Sequence, residues 1–308
     1  MIDVPDDLAV NLSEHKGAAG REFAVGLPGL AGRFLEEWGL RPDGAPMCGM
    51  CALVVPVVRE ADGRGAALKL QMVDAETVGE PVALRAWGAA GAGVVGLLEH
   101  DAATGTMLLE RLDERRPLTG VPDVRVAVRT LAQSLARLVR VPAPPGMRRL
   151  ADAAARMLEE TPGAVGLLTD ARERRLLLDC ASAVQEVAGE PGDRLLHWDL
   201  HYANILAGRA DEHRAGEWVV LDPKPLAGDP GFDLFPALDQ RFDASDVLWR
   251  FDLLCGVLGL DRERARAWTL GRVLQNALWG IGRGRPRLWP DHAEIGRRLL
   301  GRDFRNAP

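Results

Sequence analysis

The sequence predicts an α+β fold of two lobes, a small N-terminal one built on an antiparallel sheet and a larger, mainly helical C-terminal one. Two observations carry this. Before residue 112, β-rich runs come in pairs separated by short turns, and after residue 121 apolar residues recur at three- and four-residue steps. The 308 residues are enough for two cores. The lobes are expected over 1–112, with a helical N-terminal extension at 1–40, and over 113–308, joined near "ERLDERRPL".

Residues 20–39, with "LAGRFLEEWGL", have helical spacing and stop at Gly39. "CALVVPVVRE" and "GAALKLQM" flank "ADGRG", the signal of a hairpin. A helix follows in "EPVALRAWG", where Pro81 sits in the first turn and its missing N–H costs nothing. "GVVGLLEHD" and "GTMLLERL" make a second strand pair around "AATG". In the second lobe "VRVAVRTLAQSLARLVRV" is helical, "PAPPG" ends it with a stiff connector, and helices are expected near 148–160, 170–189 and through 244–301. Between them "EWVVLDPKPL" reads as a buried strand entering a Pro-rich loop.

A formal charge of −6 argues against a protein that grips nucleic acid nonspecifically, and leaves a cationic substrate open. No apolar run is long enough for a membrane span, and the acidic start lacks the basic and apolar regions of a secretory signal, so a cytoplasmic protein is expected, with a monomer as the default. Four cysteines form no disulfide framework. Cys48 and Cys51 make a lone C-x-x-C with no second pair to complete a zinc site, which leaves a turn with two small side chains.

"HWDLHYANIL" (197–206) has two readings. His197, Asp199 and His201 alternate, as ligands of a metal-dependent hydrolase would on one face of an extended segment. The same stretch is H-x-D-L-x-x-x-N, in which an Asp acts as base and an Asn five residues on binds magnesium. Phosphoryl transfer from ATP also needs a cation for the phosphates and a second acid for the metal. Lys69 lies in the strand run "AALKLQM", an acid, Glu80 or Glu76, follows at the first helix, and Asp222 ends the run "VVLD". The hydrolase reading leaves Lys69, Asn204 and Asp222 without a role, and a catalytically silent nucleotide binder would lack the base or a metal ligand.

With those residues assembled, "LKLQM", "ALRAWG", "TMLLERL", "VPAPPG", "EPGDRLLHWDLHYANIL", "LDPKPLAGDPGFDLFPAL" and "RFDLLCGVLGLDRERARAWTLGRVLQNALW" resemble the aminoglycoside phosphotransferases. The likeness is greatest to the streptomycin 6-kinases and the similar hydroxyurea kinases, and runs from about residue 3 to 280. It implies a protein-kinase-like bilobal fold, ATP and Mg2+ as cofactors, and antibiotic resistance through phosphorylation of the 6-hydroxyl of streptomycin. Hydroxyurea or another small hydroxyl metabolite is the alternative acceptor. Lys69 would contact the α- and β-phosphates with Glu80 as its ion-pair partner. The backbone of Glu110, Arg111 and Leu112 would meet adenine, Asp199 would be the base, and Asn204 and Asp222 would hold the metal.

Two departures stand out. The nucleotide loop "DGAPMCGMCAL" has only Gly44 and Gly49 instead of G-x-G-x-x-G, and Asp222 is followed by Pro223 and Lys224 in place of Phe-Gly. Asp229 and Asp233 in "GDPGFDLF" have two readings, as caps that brace the catalytic loop or as acids facing a cationic substrate. Asp239 and Asp243 pose the same choice, with exposed surface as the default. Gln275 and Asn276 are polar in an otherwise apolar helix and are candidate hydrogen-bond partners of a polar substrate.

Overall fold

The computed structural model describes residues 2–210 and 214–301. The chain divides into two compact units, one of Met1–Arg115 with Ala207–Val219 and one of Arg116–Leu206 with Val220–Pro308.

The first unit opens with α1 (Asp6–Glu37), kinked at Gly17, whose φ of 60° breaks the helical path. Six antiparallel strands follow: β1 (Leu40–Pro42), β2 (Met47–Cys48), β3 (Ala52–Arg59), β4 (Gly65–Gln71), then α2 (Glu80–Ala89), β5 (Leu97–Asp101) and β6 (Thr106–Glu110). Their order is β1-β3-β4-β6-β5, with β2 added on β3. In β4 the alternation of side chains separates two jobs. Ala66, Leu68 and Leu70 enter a core with Leu53, Val55 and Val57 of β3 and with Leu12, Leu27 and Phe34 of α1. Lys69 and Gln71 therefore point to the other face, and Lys69 pairs in register with Val54 and Met107, well inside the sheet.

The next strand, β7 (Asp113–Pro117), runs across the boundary between the units. The second unit is mainly helical: α3 (Val124–Leu138), α4 (Leu150–Val165), α5 (Ala171–Val187), α6 (Phe235–Asp239), α7 (Val247–Leu258), α8 (Arg262–Gly282) and α9 (Pro290–Leu299). Asp123, Asp170 and Asp261 cap α3, α5 and α8 by accepting first-turn N–H groups. Helix α8 is buried along most of its length from Ala265 to Ile281 and packs against α4, α5 and α9. The short strands β8 (Arg194–Leu196), β9 (Ile205–Ala207), β10 (Trp218–Val220) and β11 (Leu226–Gly228) interrupt the helices, and β8 pairs antiparallel with β11.

Sequence order alone puts 113–308 in a single lobe, but residues 207–219 pack with the first unit. Arg214 Nη1 donates to Val94 O at 2.8 Å and to Glu110 Oε2 at 3.1 Å, both in that unit.

The β8–β11 pair is tightly seated. A Cβ at Gly228 would lie 2.6 Å from Leu150 Cβ and 3.1 Å from Leu196 Cδ1. Gly228→Ala is expected to destabilise the protein by about 1–3 kcal/mol through overpacking. A lower urea midpoint with an unchanged m-value would register it.

Candidate active site

In the first unit the chemistry gathers on the face of β4 turned away from the α1 core. Lys69 Nζ donates to both carboxylate oxygens of Glu80, at 2.7 and 2.9 Å. Glu80 is 1 % exposed and Lys69 4 %, so the pair is desolvated, and removing either partner would leave an uncompensated charge. Glu80 opens α2, where the helix dipole favours a carboxylate. Of the two acids the sequence offered, Glu80 is therefore the partner. Glu76 lies in the preceding turn, its backbone N–H donating to Asp74 Oδ1. Gln71 Nε2 adds a 2.7 Å bond to Glu80 Oε2, a contact the sequence reading missed. Its signal was the period of two, since residues 69 and 71 share a strand face.

Residues 110–112 close this unit's strand run. The Glu110 carboxylate accepts from Gly96 N and Arg214 Nη1, the Arg111 guanidinium pairs with Glu114, and Leu112 is buried. The Glu110 and Arg111 side chains are thus held by the unit itself, and the Glu110 N–H donates to Gly96 O at 2.8 Å. In the loop 43–53, Gly49 N donates to Ala52 O in a tight turn, with Cys48 exposed and Cys51 half-buried.

In the second unit, two loops are tied together around Asp199. His197 Nε2 lies 3.0 Å from Leu221 O, and His197 Nδ1 accepts the Asp199 N–H at 3.3 Å. Leu221 N donates to Asn204 O, and Lys224 N to His197 O, each at 3.0 Å. Asp233, fully buried, accepts His197 N at 2.7 Å and Trp198 N at 2.6 Å, one with each oxygen. Trp198 and Asp222 both carry positive φ, 68° and 58°, a backbone state that non-glycine residues hold only when their surroundings impose it. Tyr202 anchors the loop's far end, its N–H on Gln240 Oε1 and its hydroxyl on Ala237 O.

Within this frame Asn204 Nδ2 donates to Asp199 O at 3.0 Å, so Oδ1 is the amide atom offered as an acceptor. Asp222 follows β10 by two residues, on the loop that also carries Lys224. An amide oxygen and a carboxylate are hard oxygen donors, the type magnesium takes, and the donor set fits that ion. Lys224 Nζ lies 2.6 Å from Asp199 Oδ2, a contact that the sequence reading, which saw Lys224 only as a departure in the motif, did not anticipate. Burial pushes the Asp199 carboxyl up, but Lys224, joined by His201 and Arg272, more than offsets it and holds the group below the usual carboxylate range. Asp199 is thus an anion at neutral pH.

The three-ligand cage does not form. Both His197 nitrogens are engaged within the two loops, and burial pushes its ring down to about 4, so it is neutral with the proton on Nε2 facing Leu221 O. Burial also lowers His201, against the pull of Asp199. Among the described residues no group of three or more His, Cys, Asp or Glu side chains is arranged to hold a metal ion.

The four acids that left a choice between a bracing role and a cationic substrate all have partners within the protein. Asp229 Oδ1 accepts Gly231 N at 2.8 Å, capping the 3-10 turn Pro230–Asp233, and its Oδ2 meets Arg264 Nε at 2.6 Å. Asp233 is spent on the two loop amides. Asp239 pairs with His292, and Asp243 caps the turn at Ser245. Gln275 is buried and Asn276 half-buried on α8, one turn before Trp279, whose ring stacks 6.2 Å from that of Trp198. Arg272, on the same helix, lies over both indoles at 5.0 and 5.4 Å.

Residues 37–284 match the family described as aminoglycoside/hydroxyurea antibiotic resistance kinase. The chain is 57% identical over 304 residues to a hydroxyurea phosphotransferase from Kitasatospora aureofaciens, covering 98% of this chain and 87% of that one. It is 50% identical over 309 residues to a streptomycin 6-kinase from Streptomyces glaucescens, covering 98% of each. Among solved structures it resembles a thermostable mutant of an aminoglycoside phosphotransferase in ternary complex with ADP and hygromycin B. That match has a TM-score of 0.58 at 15% identity, covering 88% of this chain and 96% of that one, and it speaks to the fold alone. Among the described residues no helix is long and apolar enough to cross a membrane.

The buried histidine makes folding sensitive to acid. The unfolded ring takes up its proton near pH 6.5 and the folded one only near 4, so this group's contribution is present above 6.5 and is lost as pH falls toward 4. Asp233 runs the other way, because burial raises its carboxyl from 3.8 to about 6 and the folded state then binds the proton more readily. Comparison with His197→Gln isolates the histidine. The stability difference between wild type and variant should shrink by about 3 kcal/mol from pH 7 to pH 4, measured by urea unfolding at each pH.

Proposed function

We propose the following reaction for this chain, which belongs to the aminoglycoside/hydroxyurea antibiotic resistance kinase family: transfer of the γ-phosphoryl group of ATP to the hydroxyl of a small drug, with hydroxyurea as first acceptor. The carrying observation is an anionic Asp199 whose own backbone oxygen fixes the Asn204 amide, on a loop zipped to the one that bears Asp222. Asp199 accepts the hydrogen bond of the acceptor hydroxyl, orients its oxygen for in-line attack and takes the proton as the new O–P bond forms and the bond from the γ-phosphorus to the bridging oxygen breaks, releasing ADP. Lys69, stiffened by Glu80, contacts the α- and β-phosphates. The backbone of Glu110, Arg111 and Leu112 meets the adenine. Asn204 and Asp222 would hold magnesium, which would supply charge neutralisation on the phosphates. Gln275 and Asn276 are assigned to the acceptor. The chain acts mainly by positioning and electrostatics.

Two observations favour hydroxyurea over streptomycin. The relative named for hydroxyurea is 57% identical and the one named for streptomycin 50%. Asp229 and Asp233, which a guanidinium-rich acceptor would have called on, are engaged with Arg264 and with two backbone amides. Streptomycin, phosphorylated on its 6-hydroxyl, is the second reading, supported by two relatives named for it that are 50 and 49% identical. Incubation with MgATP and each drug, followed by mass spectrometry, should give ADP and a hydroxyurea heavier by one phosphate. A phosphorylated streptomycin with untouched hydroxyurea would reverse the order, and ATP turnover with neither would sink the acceptor assignment.

Asp199→Ala is expected to lower kcat by about 10²–10⁴-fold with nucleotide affinity nearly unchanged. Asp222→Ala should in addition weaken MgATP binding by about tenfold or more. Steady-state kinetics and nucleotide titration separate the two. Transfer that survived either change would refute the roles assigned.

A further inference from the structure

We propose that Lys224 is a positioning residue for the transfer step: its ammonium fixes the Asp199 carboxylate for the acceptor hydroxyl and offsets that carboxylate's charge against the incoming phosphoryl group. The inference rests on the reading of Asp199 as base. The contact joins the two loops of the site, Asp199 on one and Lys224 on the other. The Nζ–Oδ2 distance is 2.6 Å, so the ammonium occupies one oxygen of Asp199 and Oδ1 is the one offered to a hydroxyl.

The lysine is delivered rigidly. Its backbone N–H donates to His197 O at 3.0 Å and its carbonyl accepts from Arg148 Nη2 at 3.1 Å. The Arg148 guanidinium itself lies 4.7 Å from the Trp198 ring centroid, next to Asp199 in the chain. Pro223 and Pro225 flank it, each with φ restricted by its ring. Such a hold exceeds what a surface ion pair needs.

A carboxylate beside an arriving phosphoryl group repels it, and a cation held against the carboxylate reduces that repulsion without removing its hydrogen-bonding capacity. Stability alone accounts poorly for the contact. The two side chains are 32% and 24% exposed, so solvent still reaches and screens the half-buried pair and its contribution to folding is modest. Lys224→Met is therefore expected to fold.

The test is a double-mutant cycle with steady-state kinetics on the full chain. Lys224→Met should lower kcat by about 10–100-fold while the KM for ATP stays within about threefold. Lys224→Arg, which keeps the charge, should recover activity to within about tenfold of wild type. In an Asp199→Asn background, Lys224→Met should cost less than about twofold, because no carboxylate remains to be held. Wild-type kcat in Lys224→Met, or an equal loss in both backgrounds, would overturn the proposal. The parent reading fails separately, through a wild type that phosphorylates neither drug or an Asp199→Asn variant with wild-type turnover.

Discussion

The Asp233 carboxylate, sealed from solvent, takes the backbone N–H groups of His197 and Trp198, one on each oxygen, and the chemistry of the second unit is suspended from those two bonds. They hold the chain at Trp198 in a positive-φ state that its large side chain would not otherwise choose. The turn so made carries Asp199 out of β8 and toward Lys224. A buried carboxylate is costly unless its lone pairs are filled, and the pushed-up Asp233 carboxyl records that cost. The same two amides would be orphaned donors without it, so each side of the contact makes the other tolerable.

From that anchor the ties propagate. His197, aligned by its own amide, bridges the Leu221 carbonyl and the Asp199 amide and so joins two loops that are some twenty residues apart in sequence. Its burial keeps it neutral, and neutrality is what lets one ring nitrogen donate while the other accepts. A histidine that looks like a metal ligand is thereby a strut. The first unit solves a related problem independently. Lys69 and Glu80 are desolvated together in a bidentate contact, and Gln71 fills a further lone pair of Glu80, so the lysine amine is held by named partners in the middle of a sheet.

Much of this was legible in the sequence because it is local. The two-state patterning of strands before residue 112 and helices after 121, the strand lysine, the acid opening α2 and the five-residue step from Asp199 to Asn204 all depend on near neighbours or on element period. What escaped depends on distance. The ion pair between Lys224 and Asp199 spans twenty-five residues, and the packing of residues 207–219 with the first unit rests on Arg214 reaching Val94 and Glu110. Asp229 and Asp233 were ambiguous for another reason. An aspartate before a turn has one composition whether it caps, braces or binds, and only its partners, Gly231 and Arg264 for one and two loop amides for the other, decide. Alternation of His197, Asp199 and His201 misleads similarly, because the positive φ at Trp198 removes the extended geometry that alternation presupposes.

The role of this loop pair is tested most directly by a crystal structure with a non-hydrolysable ATP analogue and manganese, located by its anomalous signal. The expected result is a metal on Asn204 Oδ1 and the Asp222 carboxylate, with His197 still bound to Leu221 O. Manganese held by His197 or His201, or bound away from both loops, would contradict it.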